Sequence, residues 1–224
     1  MHIAFGAVSL IAGPIGILSA KGGLVHRRAG IIFFYAMMVV AATSVTMAIP
    51  ANNIFLGLIG IFSAYLAGSG YRSIFWKKLA KRSRIPKRVD FIVAALMGVT
   101  GAASIAYGIM QLVKGHTLGV VIIVFGVIGL LNVVSDGRIL LGYNRAKGFW
   151  LAAHVSKMVG AVIASYTAFL VVNQPAHVPQ LVAWLGPTVL GTAVIVHWRR
   201  RVRQDAEAEN PKYLENSRFR NSYV

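Results

Sequence analysis

Six histidines and one lysine are the side chains of this sequence best able to do chemistry. His2, His26, His116, His154, His177 and His197 are the ligand-type residues present in number, and there are no cysteines to supply thiolates, disulfides or a sulfur nucleophile. Neutral imidazole binds first-row metals and haem iron through a ring nitrogen. Lys157 is a different signal: it stands seven positions after Trp150 inside an apolar run, which is roughly 10 Å along a helix. A charge at that depth in a membrane costs on the order of 2.5 to 3.5 kcal/mol. It must be relieved by snorkelling toward the interface, by a carboxylate, or by a role in handling protons or substrate. Asp90 and Asp136 are the acids at the ends of apolar runs and the candidate partners, and Asn132, four residues before Asp136, shares its helix face.

Seven apolar runs must position these residues. Of 224 residues, 57% are hydrophobic and 13% charged, too few charges to coat a soluble globule, where about 25% is usual. Lipid must cover the surface instead. A helix crosses roughly 30 Å of hydrocarbon in about 20 residues, and the runs are Ile3 to Ala20, Ala29 to Ile49, Ile54 to Tyr71, Phe91 to Val113, Leu118 to Ser135, Phe149 to Val172 and Leu181 to Val196. The expected fold is an all-α polytopic transmembrane helix bundle of seven spans over residues 1–198. A basic, disordered cytoplasmic tail is expected over 199–224, where apolar periodicity is lost. Met1 and His2 lead into the first run without a basic n-region, so it reads as a retained span rather than a cleaved signal peptide.

The connections alternate in charge. Lys21, Arg27 and Arg28 follow the first run; Arg72, Lys77, Lys78, Lys81, Arg82, Arg84, Lys87 and Arg88 follow the third; Arg138, Arg145 and Lys147 the fifth; Arg199, Arg200, Arg201 and Arg203 the seventh. The intervening connections hold one basic residue, Lys114. Short basic loops stay in the cytoplasm, which puts the N-terminus outside and the C-terminus inside. A net charge of +17 dispersed through such loops fits anionic lipid headgroups and not nucleic acid, which needs a basic face on a soluble domain. Trp76, Trp150 and Trp198 fall at the cytoplasmic ends of runs and Trp184 near an outer end, the depths that amphipathic rings favour.

This topology brings His26, His154 and His197 to one depth on the cytoplasmic side, and makes His26 and His154 candidate ligands of haem b or a metal. The ligand-binding set is His26, His154, His197, Lys157, Asp90 and Asp136; no catalytic residue is assigned. The His26 face continues through Gly30, Phe33, Met37 and Ser44, and the His154 face through Met158, Ala161 and Ser165, as the walls of a pocket would. The bland account is that helix-end histidines anchor at the interface or bond to loop carbonyls.

Small residues mark close helix contacts in lipid. Gly60, Ala64 and Gly68 form one seam and Gly160, Ala164 and Ala168 another, while Asp90, Ala94, Met97, Gly101, Ser104, Gly108 and Gln111 form a stripe that should face protein. Gly13-Pro14 and Gly186-Pro187 are candidate bends. Met37 and Thr46 have the same spacing as Met158 and Thr167, a weak self-similarity between the second and sixth runs.

No Gly-rich phosphate loop, His-Glu-x-x-His zinc helix or Gly-x-Ser-x-Gly elbow is present, so the common motif-defined enzymes have no support. The seventh run holds no lysine for a retinal Schiff base. The stretch His2 to Gly30, with Gly13-Pro14, Lys21-Gly22 and His26-Arg27-Arg28-Ala29-Gly30, resembles the opening of a family of uncharacterised bacterial predicted multi-pass membrane proteins. Trp150-Leu151-Ala152-Ala153-His154, Met158, Thr167-Ala168-Phe169 and Trp184-Leu185-Gly186-Pro187-Thr188 are similar to its later segments. The resemblance covers most of the membrane region but not the basic loop at 72–88 or the tail. It implies a bacterial inner-membrane protein and singles out His2, His26 and His154, but the family has no established activity to transfer.

Three functions are left open. One is a redox carrier in which two of the cytoplasmic-side histidines ligate haem or a metal. Another is a small-molecule or ion transporter with Lys157 and Asp90 or Asp136 as a titratable gate. The third is a non-catalytic assembly partner whose small-residue seams favour a homo-oligomer.

Overall fold

A computed structural model describes residues 1–80, 86–143, 145–174 and 178–208. His177, Lys81, Arg82, Arg84 and the tail beyond 208 lie outside the described residues. Within them every regular element is helical: α1 His2–Leu18, α2 Leu24–Ala48, α3 Ile54–Arg72, α4 Arg88–Val113, α5 Leu118–Leu140, α6 Phe149–Val172 and α7 Gln180–Ala208, with a 3₁₀ segment, Ser73–Ala80, continuing α3. The last six are long and apolar enough to cross a membrane, which makes the chain a multi-pass membrane protein. At 17 residues, α1 reaches about 26 Å, a little short of roughly 30 Å of hydrocarbon. α1 and α7 continue as helices through Pro14 and Pro187.

The helices run past the charges at which the sequence reading stopped: α2 begins at Leu24 rather than Ala29 and α4 at Arg88 rather than Phe91, and two C-terminal ends are extended as well. α5 runs past Ser135 to Leu140, because Asp136 is neutralised inside the bundle rather than solvated at a helix end. α7 continues past Trp198 to Ala208, so the first ten residues of the expected tail are helix; arginine and glutamine are good helix formers.

α3 is the central helix, packed against α2, α4 and α6; α1 bridges α2 and α6, and α7 lies on α6. The tightest pair is the α4–α5 hairpin, where glycines face each other. A Cβ on Gly108 would lie 2.8 Å from the Gly119 carbonyl oxygen, and one on Gly126 the same distance from the Gly101 oxygen. No side chain fits there, so the glycines set the separation of the two backbones. The α4 stripe from Asp90 to Gly108 is buried and Gln111 half-buried. The two other seams behave differently. Gly60 meets α2 at Ala41 and Val45, but a Cβ on Gly68 would meet nothing within 4 Å. On α6 the buried residues include Lys157, Ala161 and Thr167, while Ala168 is exposed.

The apolar core joins Phe33 and Met37 of α2, Phe62 and Leu66 of α3, Met97 of α4, Ile122 of α5 and Ala161 of α6. Two tryptophans expected at the lipid interface turn inward instead. Trp184 packs on Phe55 and Phe125, with ring centres 5.1 and 6.2 Å away. Trp76, on the 3₁₀ segment, is buried with Leu79 against Ile139, Leu140 and Phe149. Trp150 and Trp198 remain half-buried, with the Lys77 and Lys21 ammonium groups over their rings at 5.5 and 4.9 Å.

Candidate functional site

Two polar clusters stand side by side at the end of the bundle that carries the basic connections. The first surrounds Lys157. Its ammonium pairs with the Asp136 carboxylate of α5, and the second carboxylate oxygen of Asp136 accepts the Tyr65 hydroxyl of α3 at 2.7 Å. Lys157 and Asp136 are each 2% exposed. The lysine also lies over the Trp76 ring, 4.6 Å from its centre, where the face of the indole attracts a cation. Trp76 in turn donates its ring N–H to Asp90 Oδ1 at 3.2 Å, and Arg72 Nε donates to the same oxygen at 2.7 Å. The other Asp90 oxygen accepts the backbone N–H of Lys87 at 3.2 Å, so this carboxylate also caps the start of α4, where a negative charge is favoured.

The 3₁₀ segment closes this network from the basic side. Arg145 holds it in place by donating to the Leu79 carbonyl at 3.1 Å and to the Ile139 and Leu140 carbonyls at 3.0 and 3.1 Å. Among the described residues, the buried side-chain nitrogen or oxygen atoms without a partner are Thr167 Oγ1 and Trp184 Nε1. Neither belongs to the network, so every fully buried polar side-chain atom in it has a partner.

The second cluster is a histidine pair. His26, in the first turn of α2, sets its Nδ1 2.8 Å from the Gly16 carbonyl of α1; His154, on α6, sets its Nδ1 2.9 Å from the Gly70 carbonyl of α3. A carbonyl oxygen only accepts, so in each ring Nδ1 carries the hydrogen and the neutral imidazole keeps its lone pair on Nε2. The ring centres are 6.3 Å apart and the planes are at 74°. Both side chains are half-buried. An Nδ1–H bonded to a backbone carbonyl is the usual support of a metal-ligating histidine, since it fixes the tautomer and the ring.

Of the predicted site residues, His26 and His154 are brought together, and Lys157 takes Asp136 as partner. Asp90 joins Lys157 only through Trp76. His197 is exposed and its ring contact is with its neighbour Trp198, 6.1 Å away; depth along a helix did not fix which way round the helix the ring faces. Asn132 stays outside the network, donating to the Ile128 carbonyl of its own helix at 2.9 Å. His2 lies elsewhere, against Thr43 at 2.8 Å. Of the expected pocket walls, Phe33 and Met37 are each 1% exposed and Ala161 is fully covered, closing the core behind the pair, while Gly30 and Met158 are half-buried. Tyr65, Arg72 and Trp76 are the members that sequence reasoning missed. Tyr65 and Arg72 sit seven residues apart and so on one face of α3, a signal present in the sequence, where Arg72 was counted only among the basic residues of a connection.

No protein-family profile, no curated protein and no solved structure matches this chain.

Proposed function

We propose that this is a seven-span inner-membrane protein, amino end outside and carboxyl end cytoplasmic, that holds a redox-active transition metal between His26 and His154 at its cytoplasmic rim. The alternation of basic and neutral connections supports the orientation, and the resemblance of residues 2–30 and 150–188 to bacterial membrane proteins supports the location. The observation that carries the metal reading is the pairing of two imidazoles, each with Nδ1 tied to a main-chain carbonyl and Nε2 left to ligate. Two rings on opposite sides of one metal, each nitrogen about 2.0 Å away, have centres about 6 Å apart, close to the 6.3 Å separation here.

Among the described residues no group of three or more His, Asp or Glu side chains is placed to hold a metal, so the protein offers two nitrogens and other donors must complete the shell. Copper, favoured by imidazole and the strongest binder of the divalent first-row series, needs only the gap between the rings. Haem iron also takes two axial imidazoles, its porphyrin supplying the rest, but the closed core behind the pair requires the macrocycle to enter from the rim.

Purified protein loaded separately with copper and with haem, then desalted, tests the proposal. One equivalent of copper, or a Soret band, retained by the wild type and lost in both His26→Ala and His154→Ala supports it. Retention unchanged in both variants, or none in the wild type, rejects it. A second reading, proton or ion transport through Lys157 and Asp136, rests on two opposite charges buried within the span. Proteoliposome flux that survives the combined Lys157→Met and Asp136→Leu change would exclude it.

A further inference from the structure

The geometry points to a binding site for one anionic phospholipid in the groove between α2, α3 and α4, its acyl chain lying along the groove and its phosphate meeting Arg72. The groove has a volume of ≈ 220 Å³ and its walls include Ala41 and Val45 of α2, Gly60 and Gly68 of α3, and Leu96 of α4, with Arg72 also on its lining. From Gly60 to Arg72 the helix rises about 18 Å, close to the depth of one leaflet of a bilayer with roughly 30 Å of hydrocarbon. The groove is almost wholly apolar along that length and ends in a guanidinium.

The charge at that end selects the headgroup. Arg72 uses Nε on Asp90, and its two terminal nitrogens have no protein partner among the described residues. Its side chain is 27% exposed. Lys87 and Arg88, at the start of α4, are exposed beside the Asp90 that holds it. Three cations around one carboxylate leave a positive rim, and a phosphate oxygen pair matches the planar fork of an arginine. At Gly68 the wall is left open: an added Cβ meets nothing within 4 Å. A glycine that no neighbouring helix approaches leaves the groove open beside Ala64.

The test is lipid retention by the intact protein. Delipidated wild type is incubated in mixed micelles of phosphatidylglycerol and phosphatidylcholine with matched chains, and bound lipid is counted by native mass spectrometry. One phosphatidylglycerol is expected, kept several-fold over phosphatidylcholine and not displaced by inorganic phosphate. Gly68→Leu, which fills the groove one helical turn from Arg72, should lose the bound lipid while keeping wild-type helicity. Arg72→Gln should keep a lipid and lose the headgroup preference. Equal retention of the two lipids by the wild type overturns the proposal, as does undiminished retention by Gly68→Leu. Conversion of a dimer to a monomer by Gly68→Leu also overturns it, assigning the groove to a second copy of the chain.

Discussion

Around Lys157 the hydrogen-bonding groups face one another, whereas around His154, three residues earlier on the same helix, each imidazole keeps one nitrogen that no protein group takes. The difference comes from what covers each position. Lys157 lies under the 3₁₀ segment, where Trp76 supplies a ring face for the cation and a donor for Asp90. His154 lies beside the carbonyl-rich ends of α1 and α3 and stays half-buried. A buried ion pair contributes little net stability, because desolvation offsets its attraction, but it penalises the loss of one partner heavily. The comparison teaches that the more conspicuous charge is the latch of the bundle, while the less conspicuous rings are the ones left open for the proposed metal.

The largest expected effect is on the closed side. Lys157→Met leaves Asp136 as a buried carboxylate facing only Tyr65 and should cost about 3 to 5 kcal/mol, measured by unfolding in mixed micelles. Adding Asp136→Leu should recover most of the loss; a double variant as unstable as the single one would show that the network does more than balance charge. Asp90→Asn weakens the charged bonds from Arg72 and Trp76 and should cost about 1.5 to 3 kcal/mol. Tyr65→Phe removes one donor from a carboxylate that keeps its lysine, a smaller loss near the low end of that range, about 1.5 kcal/mol. Least of all, His154→Ala gives up one bond to a carbonyl and should cost about 0.5 to 1.5 kcal/mol while abolishing metal retention. If it destabilises the protein as much as Lys157→Met does, the contrast between latch and open site fails.

Much of this architecture was legible in the chain because lipid forces each spanning helix to be apolar over its whole length, so helix positions emerge without periodicity. The α4 stripe was legible too, since polar and small residues at helical spacing in an apolar run have only a protein face to occupy. Two things were not. Asp90 and Asp136 stand at similar depths, and only the packing of α6 against α3 and the 3₁₀ segment decides that Lys157 meets the second. Trp76 was read as an interface anchor because its position at the end of a run says nothing about a 3₁₀ turn folding it under the bundle. His26 and His154 share a depth in the sequence, and helix adjacency then brings their rings together; His197 shares the depth without the direction.

X-ray absorption at the edge of whichever metal the wild type retains tests the central claim most directly. A shell with two imidazole nitrogens about 2.0 Å from the metal, falling to one in both His26→Ala and His154→Ala, is the predicted result. A shell that contains no imidazole, or one unaltered by either substitution, would contradict it.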